Sequence, residues 1–249
     1  NGQMGHLLDY DDTHMGGVVL HASSPILSAL FALADRDGAS GRSLIASYAT
    51  GFEAGVRIGQ SAPSHHDGGW HLTGTLGSIA AGAAAGRLRG LNAKQMTHAL
   101  GIAATQAACM QQNRGTMCKS FHAGKAAANG VLAALLAENG FDSSDEIIEG
   151  KRGFARIYST DADPGALTAG LGTRWEIMSN GYKPYACGVV LHPLIDAMIA
   201  LATKTDVPAV AIQSVTLRVH PHAVKITGID DPKTGLQSKF SINHAAAVA

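Results

Sequence analysis

Apolar residues recur at helical spacing over the first two thirds of the chain and give way to alternation in the last third. The spacing predicts helices over 25–35, 43–59, 75–88, 92–108 and 119–139. Ser23 or Ser24 is the expected N-cap of the first, with Pro25 in its first turn. Glu53 and Arg57 are four residues apart, the spacing of a paired helix face. Asn92 is suited to cap the fourth helix. Lys119 or Ser120 opens the fifth, and Gly140 is suited to stop it. Two of these helices, around 77–86 and 123–130, are built largely from Ala and Gly. Each Gly costs about 1 kcal/mol of helix propensity relative to Ala, so close helix packing has to offset it.

The pattern changes after Asp163-Pro164-Gly165, and a new unit begins over 183–195. Residues 211–220 alternate apolar and polar types and are rich in β-branched side chains, which predicts a strand ended by Pro221. A boundary near Gly181 divides a helical domain, 1–180, from the start of a smaller α/β unit, 181–249. The fold class expected is therefore mainly α. The chain opens at Asn1 and closes in the apolar run Ala245-Ala246-Ala247-Val248-Ala249, which reads as part of a longer polypeptide.

Composition narrows the function classes. The 249 residues carry 19 basic and 19 acidic side chains, so no electrostatic footprint for nucleic acid is present. No uncharged apolar run has the length of a membrane helix. The three cysteines, Cys109, Cys118 and Cys187, have no C-x-x-C spacing, which disfavours disulfide scaffolding and a zinc knuckle and fits a reducing cytoplasm.

The candidate chemistry is concentrated in four segments. Leu8-Asp9-Tyr10-Asp11-Asp12-Thr13-His14, followed by His21, crowds carboxylates and imidazoles around Gly16-Gly17. Such a cluster serves equally to cap a helix or turn or to line a polar pocket. His71, in Trp70-His71-Leu72-Thr73-Gly74, precedes a helix whose N-terminus favours an anion. Lys119, in Met117-Cys118-Lys119-Ser120-Phe121-His122, is surrounded by small and apolar residues that would desolvate its charge. Lys183 and His192 follow Gly181-Tyr182. A metal-dependent hydrolase built on Asp9, Asp11, His21, His65 and His66 is a competing reading, although His65 and His66 are adjacent in a Pro/Gly-rich loop and suit a loop role. A third reading is a non-catalytic dimeric layer of helices.

Taken together and in this order, these segments resemble the MmgE/PrpD family along the whole chain. Its members include 2-methylcitrate dehydratase, cis-aconitate decarboxylase and iminodisuccinate epimerase. The resemblance implies a large helical domain plus an α/β lid domain with the site between them, a homodimer, and no cofactor or metal. It implies His21, His71, Lys119 and Asp9 as catalytic residues, with Thr13, Lys183, His192 and His244 binding substrate. His244 stands where the family segment often has Tyr, and Ala22 where a Pro is common. The reaction implied is proton abstraction α to a carboxylate of a di- or tricarboxylate. Dehydration of a 2-methylcitrate-like hydroxy acid in propionate catabolism is the first expectation, with epimerisation or decarboxylation as alternatives.

Overall fold

The computed structural model describes all of residues 1–249. Eleven helices account for nearly all regular structure: α1 (Gly2–Leu7), α2 (Ser23–Asp37), α3 (Gly41–Gln60), α4 (Leu72–Leu88), α5 (Ala93–Ala104), α6 (Met117–Glu138), α7 (Phe154–Tyr158), α8 (His192–Lys204), α9 (Pro221–Thr227), α10 (Gly235–Ser238) and α11 (Ile242–Val248). No helix is long and apolar enough to cross a membrane.

Helix α4 is the axis of the body. Every residue from Leu72 to Gly86 is buried, enclosed by α2, α3, α5 and α6. Its Ala and Gly content makes that possible. Gly51 of α3 lies against the Ala80 carbonyl, and a Cβ on Gly130 of α6 would sit 2.5 Å from the backbone of Ala81. Large side chains at these crossings would drive the helices apart, so the propensity lost to Gly is offset by backbone-close packing. The Glu53–Arg57 pair forms as its spacing predicts, at 3.0 Å and buried. Asn92 makes a complete capping box with Gln95, and Gly140 follows α6 with φ 86°.

Three departures from the pattern's prediction have a tertiary reason. Helix α2 begins at Ser23, with Ala22 at the N-cap and no side-chain cap of its own. The Asp12 carboxylate accepts from the Ser23 N–H at 3.1 Å and supplies the cap from elsewhere in the chain. Helix α5 stops at Ala104, because the chain turns to lay Cys109, at φ 97°, against the start of α4. The Cys109 carbonyl accepts from the His71 N–H at 3.1 Å, and Gly74 leaves room for the Cys109 side chain. The strand expected over 211–220 does not form. A 3₁₀ turn, Ala209–Ala211, leads into unpaired, largely exposed chain. A strand needs a hydrogen-bonded neighbour, and none lies beside this segment. From 182 onward the regular elements are helices, with one isolated bridge between Gly228 and Ser241, and the chain as a whole is mainly α, as expected.

The only sheet is a two-stranded ladder, β1 (Thr13–His14) antiparallel to β2 (Asn180–Gly181), with Thr13 opposite Gly181. It fastens the end of the helical body to the acidic segment near its beginning. Lys183 emerges two residues beyond it.

Candidate active site

Between the helical body and the second unit lies a cavity of about 290 Å³. Its floor is the 8–14 segment. Asp9 adopts φ 53°, a left-handed conformation uncommon for a residue other than Gly, and its buried carboxylate is held by two lysines. Lys183 donates to Asp9 Oδ1 at 2.6 Å and to the Asp9 carbonyl at 3.1 Å. The Lys119 ammonium, in the first turn of α6, lies 3.4 Å from the same Oδ1. Lys119 Nζ also lies 2.9 Å from His6 Nε2, and His6 Nδ1 is 2.6 Å from Asp11 Oδ2. An ammonium cannot accept, so His6 Nε2 accepts and its Nδ1–H donates to Asp11. The result is a continuous buried chain from Asp11 through His6, Lys119 and Asp9 to Lys183.

Of the five histidines that line the cavity, His21 and His71 are the two that the family resemblance singled out. His21 Nδ1 is 2.8 Å from the Asp12 carbonyl and 3.0 Å from Thr13 Oγ1. A carbonyl only accepts, which places the proton on Nδ1 and leaves Nε2 with a lone pair. His71 is the N-cap of α4. Its Nδ1 shares a proton with His122 Nδ1 at 2.9 Å, and its buried Nε2 has no protein partner.

Burial sets the protonation of these groups. Desolvation, reinforced by the Lys183 charge, pushes His21 down to about 3. His71 is held well below its ordinary value by burial and by Lys119, and His122 falls to about 4 for the same reasons. These rings are therefore neutral at pH 7. Burial alone would raise the Asp9 pKa, but the charges of Lys119 and Lys183 override it and hold the carboxyl well below the usual carboxylate range. Burial lowers Lys119, with Asp9 opposing the shift. The site thus holds cationic amines and neutral imidazoles around one shared carboxylate.

Residues 1–167 match the MmgE/PrpD N-terminal domain and residues 185–249 the MmgE/PrpD C-terminal domain. The chain belongs to the MmgE/PrpD family. It is 33% identical over 205 residues to a cis-aconitate decarboxylase of Aspergillus terreus, covering 76% of this chain and 42% of that protein. It is 28% identical over 234 residues to the human cis-aconitate decarboxylase, covering 88% of this chain and 48% of that protein. The chain spans less than half the length of these curated relatives.

Of the residues that the MmgE/PrpD resemblance implied, Asp9, Thr13, His21, His71, Lys119 and Lys183 all line the cavity. His192 and His244 do not. His192 is buried at the start of α8, edge-on to Tyr185 at 5.5 Å. His244 is exposed on α11, where its backbone N–H donates to Ser241 Oγ. Its side chain lies outside the cavity lining. His65 and His66 separate. His65 is buried among Phe154, Tyr158 and Trp70, whereas His66, in the turn that follows, reaches the cavity wall. The acidic cluster does both things expected of it, since Asp12 caps α2 while Asp9 faces the cavity.

Sequence reasoning missed His6, Arg114 and His222. No local signal distinguishes His6, which sits in a six-residue helix and meets Lys119 only through the packing of α1 on α6. His6, Asp9 and Asp11 bring ligand atoms within 4.8 Å of one another. However, both His6 ring nitrogens are engaged and Asp9 already faces two ammonium groups, so this donor set fits an ion-pair chain better than a metal.

Proposed function

We propose that this chain carries the site of a cofactor-independent lyase for a di- or tricarboxylate, with decarboxylation of a cis-aconitate-type tricarboxylate as the first candidate. The observation that carries the reading is the pairing of cationic Lys119 and Lys183 with neutral, cavity-facing His21 and His71. In this reaction the bond from carbon to the departing carboxylate breaks. Its electron pair moves through the neighbouring double bond to a carbon α to a second carboxylate. An ammonium beside that carboxylate stabilises the enolate-like charge. A proton delivered to the α carbon completes the step, and Lys119, which lines the cavity and has its pKa lowered by burial, is placed to supply it directly.

Dehydration of a 2-methylcitrate-like hydroxy acid is the second reading. The free Nε2 of His21 favours it, because a lone pair aimed into the cavity suits removal of an α proton. Loss of the β-hydroxyl would follow, whereas return of the proton to the opposite face gives epimerisation, as for iminodisuccinate. A homodimer in the cytoplasm belongs to the same reading.

Incubation in D₂O with cis-aconitate, 2-methylcitrate, citrate and iminodisuccinate, followed by proton NMR, separates these outcomes. Loss of CO₂ with deuterium entering an α position supports the first candidate, and loss of water supports the second. Lys119→Ala and His71→Ala should lower turnover by roughly 10²–10⁴-fold with the fold intact. Unchanged kcat in both removes the assignment, and absence of both turnover and carboxylate binding returns the chain to the non-catalytic reading.

A further inference from the structure

The donors that face the cavity are not equally available. Lys183 spends two hydrogen bonds on Asp9, and Lys119 is shared between His6 and Asp9. Each ammonium has three N–H donors, so the lysines are mostly satisfied within the protein. Arg114 is different. Its side chain lines the same cavity and is partly buried, yet its sole polar contact is a 3.4 Å approach to His66 Nε2. A guanidinium has five donors in a planar fork. The contrast with Arg57 is direct: that buried guanidinium pairs with Glu53 and also donates to the carbonyls of Ala169 and Arg174. Desolvated arginines are ordinarily paired in this way, and no carboxylate of this chain pairs with Arg114.

Its position adds a second constraint. Arg114 also lines an outer groove of about 640 Å³ that includes Trp70 and Lys225, so it stands where the cavity meets the surface. It is carried on the turn that leads into α6, five residues before Lys119, with Gly115 at φ 76° between them. His222 of α9 lies across from it, 5.9 Å from the His66 ring.

Resting on the carboxylate-lyase reading above, we infer that Arg114 is a specificity-determining residue whose fork receives the outermost carboxylate of a tricarboxylate, while the Lys119–Lys183 side holds the carboxylates next to the reacting carbon. Such a fork gives bidentate, charge-assisted hydrogen bonds that a dicarboxylate held at the lysines does not reach.

The test is calorimetric binding of tricarballylate, an unreactive saturated tricarboxylate, and of succinate, to the parent chain, Arg114→Gln and Arg114→Lys. Arg114→Gln should weaken tricarballylate by ~10–100-fold and succinate by less than about threefold, with Arg114→Lys in between because it keeps charge but loses the fork. Since Arg114 makes one long contact, circular dichroism and melting temperature should match the parent. Equal weakening of both ligands, or no weakening of tricarballylate, overturns the assignment of Arg114 alone. A parent chain that binds neither ligand overturns the carboxylate reading beneath it.

Discussion

The helical body and the second unit are built on different principles. The body has a main core of 23 buried apolar residues around α4, with helices close enough that several contacts are backbone to backbone. The second unit has a core of four: Cys187, Leu191, Ile242 and Ala245. Its longest helix, α8, buries only His192, and Val210 is 96% exposed. The body is therefore held by packing, and the second unit is held largely by its seam with the body. Along that seam Lys183 meets Asp9, Lys239 donates to the Leu8 carbonyl at 2.8 Å, and the Phe240 ring lies 5.3 Å from the Lys119 ammonium. The contacts that fasten the second unit are in part those that shape the cavity.

The sharpest way to break this comparison is to overpack the body. Gly130→Val should destabilise the chain by about 3 kcal/mol in chemical denaturation, because even its Cβ collides with backbone that cannot yield. Leu201→Ala, at a position 53% exposed in the second unit, should change stability by less than about 0.5 kcal/mol. Similar values for the two would show that packing does not separate the regions.

A smaller effect should follow from cutting the seam. Lys183→Met removes the shorter of the two ion pairs to Asp9 and should cost about 2–3 kcal/mol, below the usual range for orphaning a buried charge because Lys119 remains. Hydrogen exchange should speed up over 185–249 while α4 and α6 stay protected. Uniform acceleration over the whole chain would mean that the units unfold as one.

Acid should weaken the fold without any substitution, and its onset identifies the groups responsible. His21 is held near 3, and His66 and His122 near 4, all below the unfolded value of about 6.5. Between those limits the unfolded chain binds more protons, so stability declines as pH falls from 6.5 toward 4. The depressed carboxyls of Asp9 and Asp11 act lower: their contribution is present above about pH 4 and is lost only below it. The melting temperature should therefore drop between pH 7 and pH 5, before the Asp9 and Asp11 carboxylates titrate. A flat profile over that interval would show that these imidazoles are not desolvated as described.

What the sequence made legible follows the range of the interactions. Helix periodicity, the Asn92 cap, the Glu53–Arg57 pair and the Gly140 stop are local, and all were readable. So was the crowding around Asp9, of which Asp9, Thr13, His14 and His21 line the cavity with His71, Lys119 and Lys183. What escaped depends on distant chain. Asp12 replaces a cap that Ser23 or Ser24 could have supplied. His6 gains its role from a helix more than a hundred residues away, and Arg114 is conspicuous only because no acid meets it. The segment 211–220 failed in the opposite sense, since β propensity is present without a strand to pair with.

The Asp9–Lys183 contact joins positions 174 residues apart, and the Thr13–Gly181 ladder that guides it is nearly as non-local. Closing so long a loop carries a conformational-entropy penalty that local helix formation does not, and contacts of this separation slow folding. Helical content and the α4-centred core can accrue early during refolding, whereas the cavity exists only once the far end of the chain has returned to Asp9. Recovery of carboxylate binding should therefore lag recovery of helical signal, making competence for ligand the last property the chain acquires.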